Sequence, residues 1–320
     1  MSPSNKTIAV LSGGPSAEVE VSRSSAKAVV AALEQTNSYR VASIELDNDA
    51  PQKLINLKPD VVFPALHGPP GEDGTVQGLL EMLALSYVGS EVQPSAFAMD
   101  KAVAKALFRR AGLPVADDRV YRANASSADL GAAEYAADIE STLGSKVVIK
   151  PMQQGSALGV TPLPEGGDLI GALGDAFTLG DQVLVEPFVV GREITVGVLD
   201  LHNQAPVAHP VIEIVTPENQ WYDYTNRYAE GASSHVVPAP IDDEVAIELQ
   251  RIALSAHEVL GLRDLSRADF ILPDQGAPVL LEVNTLPGMT PTSLYPDGAK
   301  ALGLDFPQLL SALVESAARR

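Results

Sequence analysis

The strongest constraint on the fold is the order of apolar runs and glycine breaks in the first 70 residues. KTIAVLSGG (6–14) and DVVFPAL (60–66) are short apolar runs that end in glycine: Gly13-Gly14 after the first, Gly68 after the second and His67. Such runs read as buried strands. A helical periodicity from Ser16 to Leu33 and a further strand near 41–46 lie between them. Strands alternating with helices predict a doubly wound parallel sheet. Ligands bind such sheets beyond the C-terminal ends of the strands, and both glycine breaks fall at such ends.

The chain then changes character. A helix is predicted over 95–111 (SAFAMDKAVAKALFRRA), before a break at Gly112-Leu113-Pro114. A short strand near 116–121, a helix containing AAEYAADIESTL and the strand KVVIK (146–150) follow. A Gly-rich loop leads to GVTPL, as in a hairpin, and a helix over 168–177 precedes QVLVEPF (182–188). EITVGVLD and APVAHPVIEI read as antiparallel strands, and 216–240 as a polar, aromatic covering loop. A helix over 242–260, the strands ADFILP and APVLLEVN, and a helix over 306–318 complete the chain, without internal repeats.

Composition removes several function classes. There is no cysteine, so disulfides, Cys-ligated zinc and thiol catalysis are excluded. The net charge is -19 and the 22 Lys and Arg are scattered, whereas nucleic-acid phosphates are bound by clustered cations. The N-terminal apolar run is too short for a signal peptide, and no stretch approaches a membrane span. The expectation is a cytoplasmic protein with no nucleic-acid or membrane partner.

Two stretches carry chemistry. In IKPMQQGSALGV, Lys150 ends a strand and Gly155 and Gly159 follow. Glycines let backbone N–H groups approach a phosphate, and lysine adds positive charge; taken alone, the same pattern is more often only a turn. In LLEVNTLPGMTPTSL (280–294), Glu282 and Asn284 are two apart on a strand and point to one side. Asp269 lies on the preceding strand, in SRADFIL. Three oxygen ligands on neighbouring strands suit magnesium, which completes its octahedron with water and nucleotide phosphates, although strand ends carry polar residues for simpler reasons. A cationic phosphate loop and an oxygen metal cluster are complementary parts of one nucleotide site. Lys101, His67, Glu186 and Glu193 are weaker signals singly, readable as a solvated helix residue, a structural hydrogen-bonder and loop caps.

Taken in order, GGPSAEVEVS, ALHGPPGEDGTVQGLLE, MDKAVAK, IKPMQQGSALGV, EPFVVGRE, YDYTNRY, RADF and EVNTLPGMTPTSL resemble the D-alanine–D-alanine ligase family of ATP-grasp enzymes. The resemblance spans nearly the whole chain. It implies an α/β fold, α+β in parts, in three domains. These are an N-terminal substrate-binding domain with a doubly wound parallel sheet (1–94), a small central α+β domain (95–186) and a C-terminal catalytic α+β domain with a mainly antiparallel sheet (187–320). It implies ATP-dependent joining of two D-alanines through an acyl phosphate for peptidoglycan synthesis, with two magnesium or manganese ions and a homodimer. By the same resemblance Lys101, Lys150, Gly155, Ala157, Glu186, Pro187, Val189, Glu193, Trp221, Arg227 and Leu281 bind ATP, and Asp269, Glu282 and Asn284 hold the metal. Glu18 would hold the first D-alanine's ammonium near His67, with Ser156 and Tyr228 linked to it as a lid closes. Arg267 and the Gly288 N–H would form the oxyanion site, and Ser293 and Leu294 would receive the second D-alanine.

Three positions depart from the family pattern. Ala157 replaces a usual Ser or Thr, Pro187 a common lysine, and Arg227 the usual lysine before the lid tyrosine. A ligase joining D-alanine to D-lactate or D-serine, and a nucleotide-binding protein without turnover, are the competing expectations. Tyr228, where ester-forming ligases of this fold tend to carry histidine, favours D-alanine as second substrate.

Overall fold

The computed structural model describes residues 6–123, 128–217 and 233–320. Its first unit runs β1 (Lys6–Ser12), α1 (Val19–Gln35), β2 (Tyr39–Glu45), α2 (Ala50–Leu57), β3 (Val61–Pro64) and α3 (Thr75–Met82). The three strands form a parallel sheet in the order β2-β1-β3. Successive side chains of a strand point to opposite faces, and β1 uses both. Ile8 and Val10 pack beneath α1, whereas Ala9 and Leu11 pack against Leu54 of α2 and Leu80 of α3. Covering both faces is why this strand is apolar at four consecutive positions, Ile8 to Leu11.

Next come α4 (Val92–Met99) and α5 (Lys101–Arg110). The sequence predicts one helix here, and the structure divides it. Asp100 adopts an extended ψ of 101°, and its carboxylate accepts the N–H groups of Ala102 and Val103. This is an N-cap. It ends one helix and starts another with Lys101 as first residue.

The second sheet is built from β4 (Arg119–Arg122), α6 (Ala128–Thr142), β5 (Val147–Pro151), β6 (Thr161–Leu163), α7 (Leu169–Phe177) and β7 (Gln182–Pro187). Its order is β4-β7-β5-β6, all antiparallel, over a core that includes Ile139, Ile149, Leu173 and Val185. The expected β5–β6 hairpin is present, with the Gly-rich loop at its tip.

The third unit runs β8 (Arg192–Asp200), β9 (Val207–Ala208), β10 (Ile212–Val215), β11 (Ser234–Val236), α8 (Asp243–Leu260), β12 (Asp264–Leu272), β13 (Val279–Asn284), α9 (Leu294–Ala301) and α10 (Phe306–Ala317). Its antiparallel sheet has the order β11-β10-β8-β12-β13, with β9 also paired to β8. The expected strand APVAHPVIEI is thus two short ones. Residues 234–236, expected in the covering loop, pair with β10 instead. Between β12 and β13 the register shifts at Asp269/Phe270, leaving Leu281 unpaired between Leu280 and Glu282. A bulge re-aims the residues beside it. Here Leu281 and Glu282, although adjacent, are both half-exposed.

The cores interlock across the chain. Phe108 of α5 packs with Val196 of β8 and Phe270 of β12, and α10 returns to cover the first sheet beside α1. The joint closes on Asp264, a fully buried carboxylate at φ +64°. It accepts the N–H of Gly89 at 2.8 Å, the Ser316 hydroxyl at 3.2 Å and two guanidinium nitrogens of Arg320 at 2.7 and 2.6 Å. A buried ion that loses its paired cation is strongly destabilising. Arg320→Ala is therefore expected to cost about 3–5 kcal/mol, read as a fall in the urea midpoint with Asp264 left in place. A midpoint equal to that of the unaltered protein would show that the hydrogen bonds alone hold Asp264.

Candidate active site

The ends of all three sheets meet at one cleft, and Glu18 is its first contact. It stands at the start of α1 and is 4% exposed. Its carboxylate accepts the hydroxyl of Ser156, from a segment 138 residues away on the Gly-rich loop. Two glycines make the approach feasible. A Cβ on Gly155 would lie 2.7 Å from the Glu18 Oε2, and one on Gly68 would lie 2.9 Å from it and 2.6 Å from Ser16 Oγ. Gly68 also has φ +65°, a region that side-chain-bearing residues rarely occupy. Ser156 and Ala157 themselves sit at φ 49° and 56°. A functional loop commonly stores strain in this way.

His67 is buried, and its Nε2 pairs with Ser25 Oγ at 3.0 Å; the same hydroxyl lies 3.4 Å from the Met289 N–H. Burial, assisted by the Arg267 charge, lowers the imidazole to about 4. His67 is therefore neutral near pH 7 and acts as a hydrogen-bonding group. Glu72 received no role from the sequence. Its carboxylate accepts the N–H of Gly68 at 2.8 Å and of Leu286 at 3.3 Å, tying the glycine loop after β3 to the loop after β13. Loss of water around it, and the charge of Glu18, push the carboxyl up to about 8.

The cationic side comes from α5 and β5. Lys101 donates to the Gln154 carbonyl at 2.7 Å and stands 3.6 Å from Glu282. Lys150 pairs with Glu186, which is 3% exposed and also pairs with Lys105. A cavity of about 30 Å³ lies between Glu72, Lys101, Gly155, Glu282 and Asn284, at the meeting of the three units. Pro187 and Val189 follow Glu186 and are half-exposed, as are Glu193 on β8 and Leu281 on β13.

On the third sheet, Arg267 faces Asn284 and Asp269 faces Glu282 across the β12–β13 ladder. Asp269 accepts Arg267 through both oxygens, at 2.8 and 2.7 Å, together with Thr195 Oγ1 at 2.6 Å and Asn284 Nδ2 at 3.1 Å. The donors expected to hold a divalent ion are two carboxylates and one amide, all hard oxygen ligands that fit magnesium or manganese. Among the described residues no three His, Cys, Asp or Glu gather as a metal group. Ser293 precedes α9, its hydroxyl 2.7 Å from Thr290 Oγ1 and 3.1 Å from where a Gly288 Cβ would stand; Leu294 is buried with Ile212 and Ile214. Trp221, Arg227 and Tyr228 lie outside the described residues.

A family model described as D-ala D-ala ligase C-terminus matches residues 107–315, and one described as D-ala D-ala ligase N-terminus matches 47–90. The chain belongs to the D-alanine–D-alanine ligase family. A relative from Halalkalibacterium halodurans, named D-alanine–D-alanine ligase, is 45% identical over 96% of this chain and 97% of its own length. The D-alanine–D-alanine ligase structure of Bacillus anthracis complexed with ATP matches with a TM-score of 0.79 and 29% identity, covering 98% of each chain. A D-Ala:D-Ser ligase of Enterococcus faecalis matches with a TM-score of 0.81 and 31% identity, over 98% of this chain and 99% of that one. No helix among the described residues is long and apolar enough to cross a membrane.

The residues that sequence reasoning missed are Glu72, Lys105, Ser25 and Thr195. Lys105 carried a usable signal, because it lies four residues after Lys101 and so on the same helical face. Ser25 and Thr195 did not, since buried hydroxyls are common in any core.

The neutral histidine sets a pH dependence in this ligase family member. His67 refuses a proton that the unfolded chain accepts below about 6.5, so stability is fully present above that value and is lost as pH falls toward 4. Buried His209, also lowered to about 4 by desolvation, adds a slope of the same sign. His67→Gln is expected to remove about 3 kcal/mol of this acid loss between pH 7 and 4, measured by urea titrations across that range. A slope identical with and without the imidazole would show that His67 titrates normally.

Proposed function

We propose that this protein joins two molecules of D-alanine into D-alanyl-D-alanine at the expense of ATP, releasing ADP and phosphate, for peptidoglycan synthesis. The observation that carries the reading is the Glu18–Ser156 contact, which ties the binding end of the parallel sheet to the Gly-rich loop beside Lys150. Family membership supports the reaction itself. The three separate sheets support a division near residues 94 and 186.

Bound ATP supplies the phosphoryl group that converts the first D-alanine's carboxylate into an acyl phosphate, open to attack by the second amine. The chain's residues do the rest. The Glu18 carboxylate holds the first D-alanine's ammonium, beside neutral His67. Lys101 and Lys150, with the loop at Gly155 and Ala157, take the nucleotide phosphates. Glu186 accepts the adenine amino group, Pro187, Val189 and Leu281 border the base, and Glu193 meets the ribose. Asp269, Glu282 and Asn284 would hold two magnesium or manganese ions, whose charge offsets that of the transferring phosphoryl group. Arg267, braced by Asp269, donates with the Gly288 N–H to the oxygen that becomes negative as the amine adds. Donors fixed before the charge develops are the strongest catalytic element in acyl transfer. Ser293 and Leu294 open α9, whose N-terminal dipole end suits the second D-alanine's carboxylate. We read the assembly as a homodimer by likeness to the family.

The deciding measurement is ATP-dependent phosphate release with D-alanine as the sole amino acid. Release that requires D-serine or D-lactate as well would overturn the reading. Arg267→Ala should lower kcat by roughly 10²–10³-fold with little change in ATP affinity; an unchanged kcat with a raised KM for D-alanine would assign Arg267 to ground-state binding. Glu282→Gln should abolish turnover at limiting magnesium with the fold intact by circular dichroism. A wild-type rate there would remove Glu282 from the metal set.

A further inference from the structure

Lys105 has no role in the reaction proposed above, yet its side chain is 1% exposed. It lies one turn beyond Lys101 on α5, and its ammonium closes on the Glu186 carboxylate. Lys150, on β5, holds the other carboxylate oxygen. Asp118, before β4, stands 3.8 Å from Lys105 and is tied to Arg109. One buried carboxylate therefore faces two cations, and the two differ in freedom. Lys150 is 12% exposed beside the Gly-rich loop, whereas Lys105 is enclosed.

A single cation suffices to neutralise a carboxylate, so the second needs a reason. Polyphosphate entering beside Lys150 competes for its ammonium. Glu186 would then be left ionised in a buried place, and an unpaired buried carboxylate takes up a proton. Protonation changes its hydrogen-bonding character: a carboxylate only accepts, whereas a carboxylic acid also donates. Lys105 stays behind whichever way Lys150 turns. Burial pushes the Glu186 carboxyl up, and the two lysines together outweigh this and hold it below the usual range.

We propose that Lys105 is a positioning residue that keeps Glu186 ionised, and so acceptor-only, while nucleotide is bound, and that it thereby sets the preference for a purine with an exocyclic amino group over one presenting a carbonyl. This rests on the reading of Glu186 as the partner of the adenine amino group.

The test measures dissociation constants for ATP and for inosine triphosphate by calorimetry without D-alanine, alongside kcat at saturating ATP. Lys105→Met keeps length and removes charge; Lys105→Arg keeps the charge. Lys105→Met should narrow the ATP-to-inosine-triphosphate preference by about tenfold, chiefly by weakening ATP. Its kcat should stay near that of the unaltered enzyme, and Lys105→Arg should restore the preference. Equal weakening of both nucleotides would reduce Lys105 to a packing role and overturn the proposal. Should Lys105→Met fail to fold, Lys105→Gln carries the same comparison. Glu186→Gln, which donates as well as accepts, separates the two levels of inference. If it narrows the preference and the Lys105 variants do not, only the proposal falls. If it leaves the preference unchanged, the assignment of Glu186 to the base falls with it.

Discussion

The carboxylate of Asp264 is the joint on which the rest of the structure depends. It has no exposure to water, so its charge must be met within the protein. Arg320, Ser316 and the Gly89 amide meet it from the C-terminal helix region and from the loop that follows the first sheet. Asp264 also begins β12, three residues before Arg267. The strand that carries the arginine and the aspartate of the cleft is thus anchored at its origin to the unit that carries Glu18 and His67. Packing reinforces the anchor. Helix α10 covers the first sheet, and α5 is wedged against the third.

The cleft built on this frame is a set of pre-formed charge pairs. Lys150 and Lys105 face Glu186, Lys101 faces Glu282, and Arg267 faces Asp269. Each pair keeps a poorly hydrated charge compensated, which such burial requires. The pairs at Glu186 and Glu282 also link elements from different parts of the chain, so these ions help to hold the walls of the site together. A nucleotide bound as proposed would exchange its phosphates and base for existing partners, with the Lys101 and Lys150 ammonium groups already held in the cleft. Preorganisation of this kind lowers the cost of ordering the site at the moment of binding.

Much of the fold was legible in sequence because periodicity is local. The parallel first unit, the β5–β6 hairpin and α8 follow from apolar spacing and glycine breaks. The eight-residue helices α2, α3 and α9 were not read, since a helix that short offers too few turns for its period to stand out. The division of α4 from α5 turned on one capping aspartate inside an otherwise continuous helical pattern, where helix propensity and capping compete at a single residue. Glu282 and Asn284 were found because strand alternation puts them on one side, and the bulge at Leu281 preserves that pairing.

By itself, then, the sequence determined the family, most of the longer elements and the residue types proposed for phosphate, metal and ammonium. These depend on residue identity and short spacing, which a linear chain displays. The tertiary structure decided which charges meet. That Glu18 receives Ser156, that Glu72 bridges two loops, and that Glu186 lies between two lysines are contacts across long separations. Their physical consequences, a neutral His67 and a raised Glu72, come from desolvation and neighbouring charge. Both arise only once distant segments pack together and exclude water.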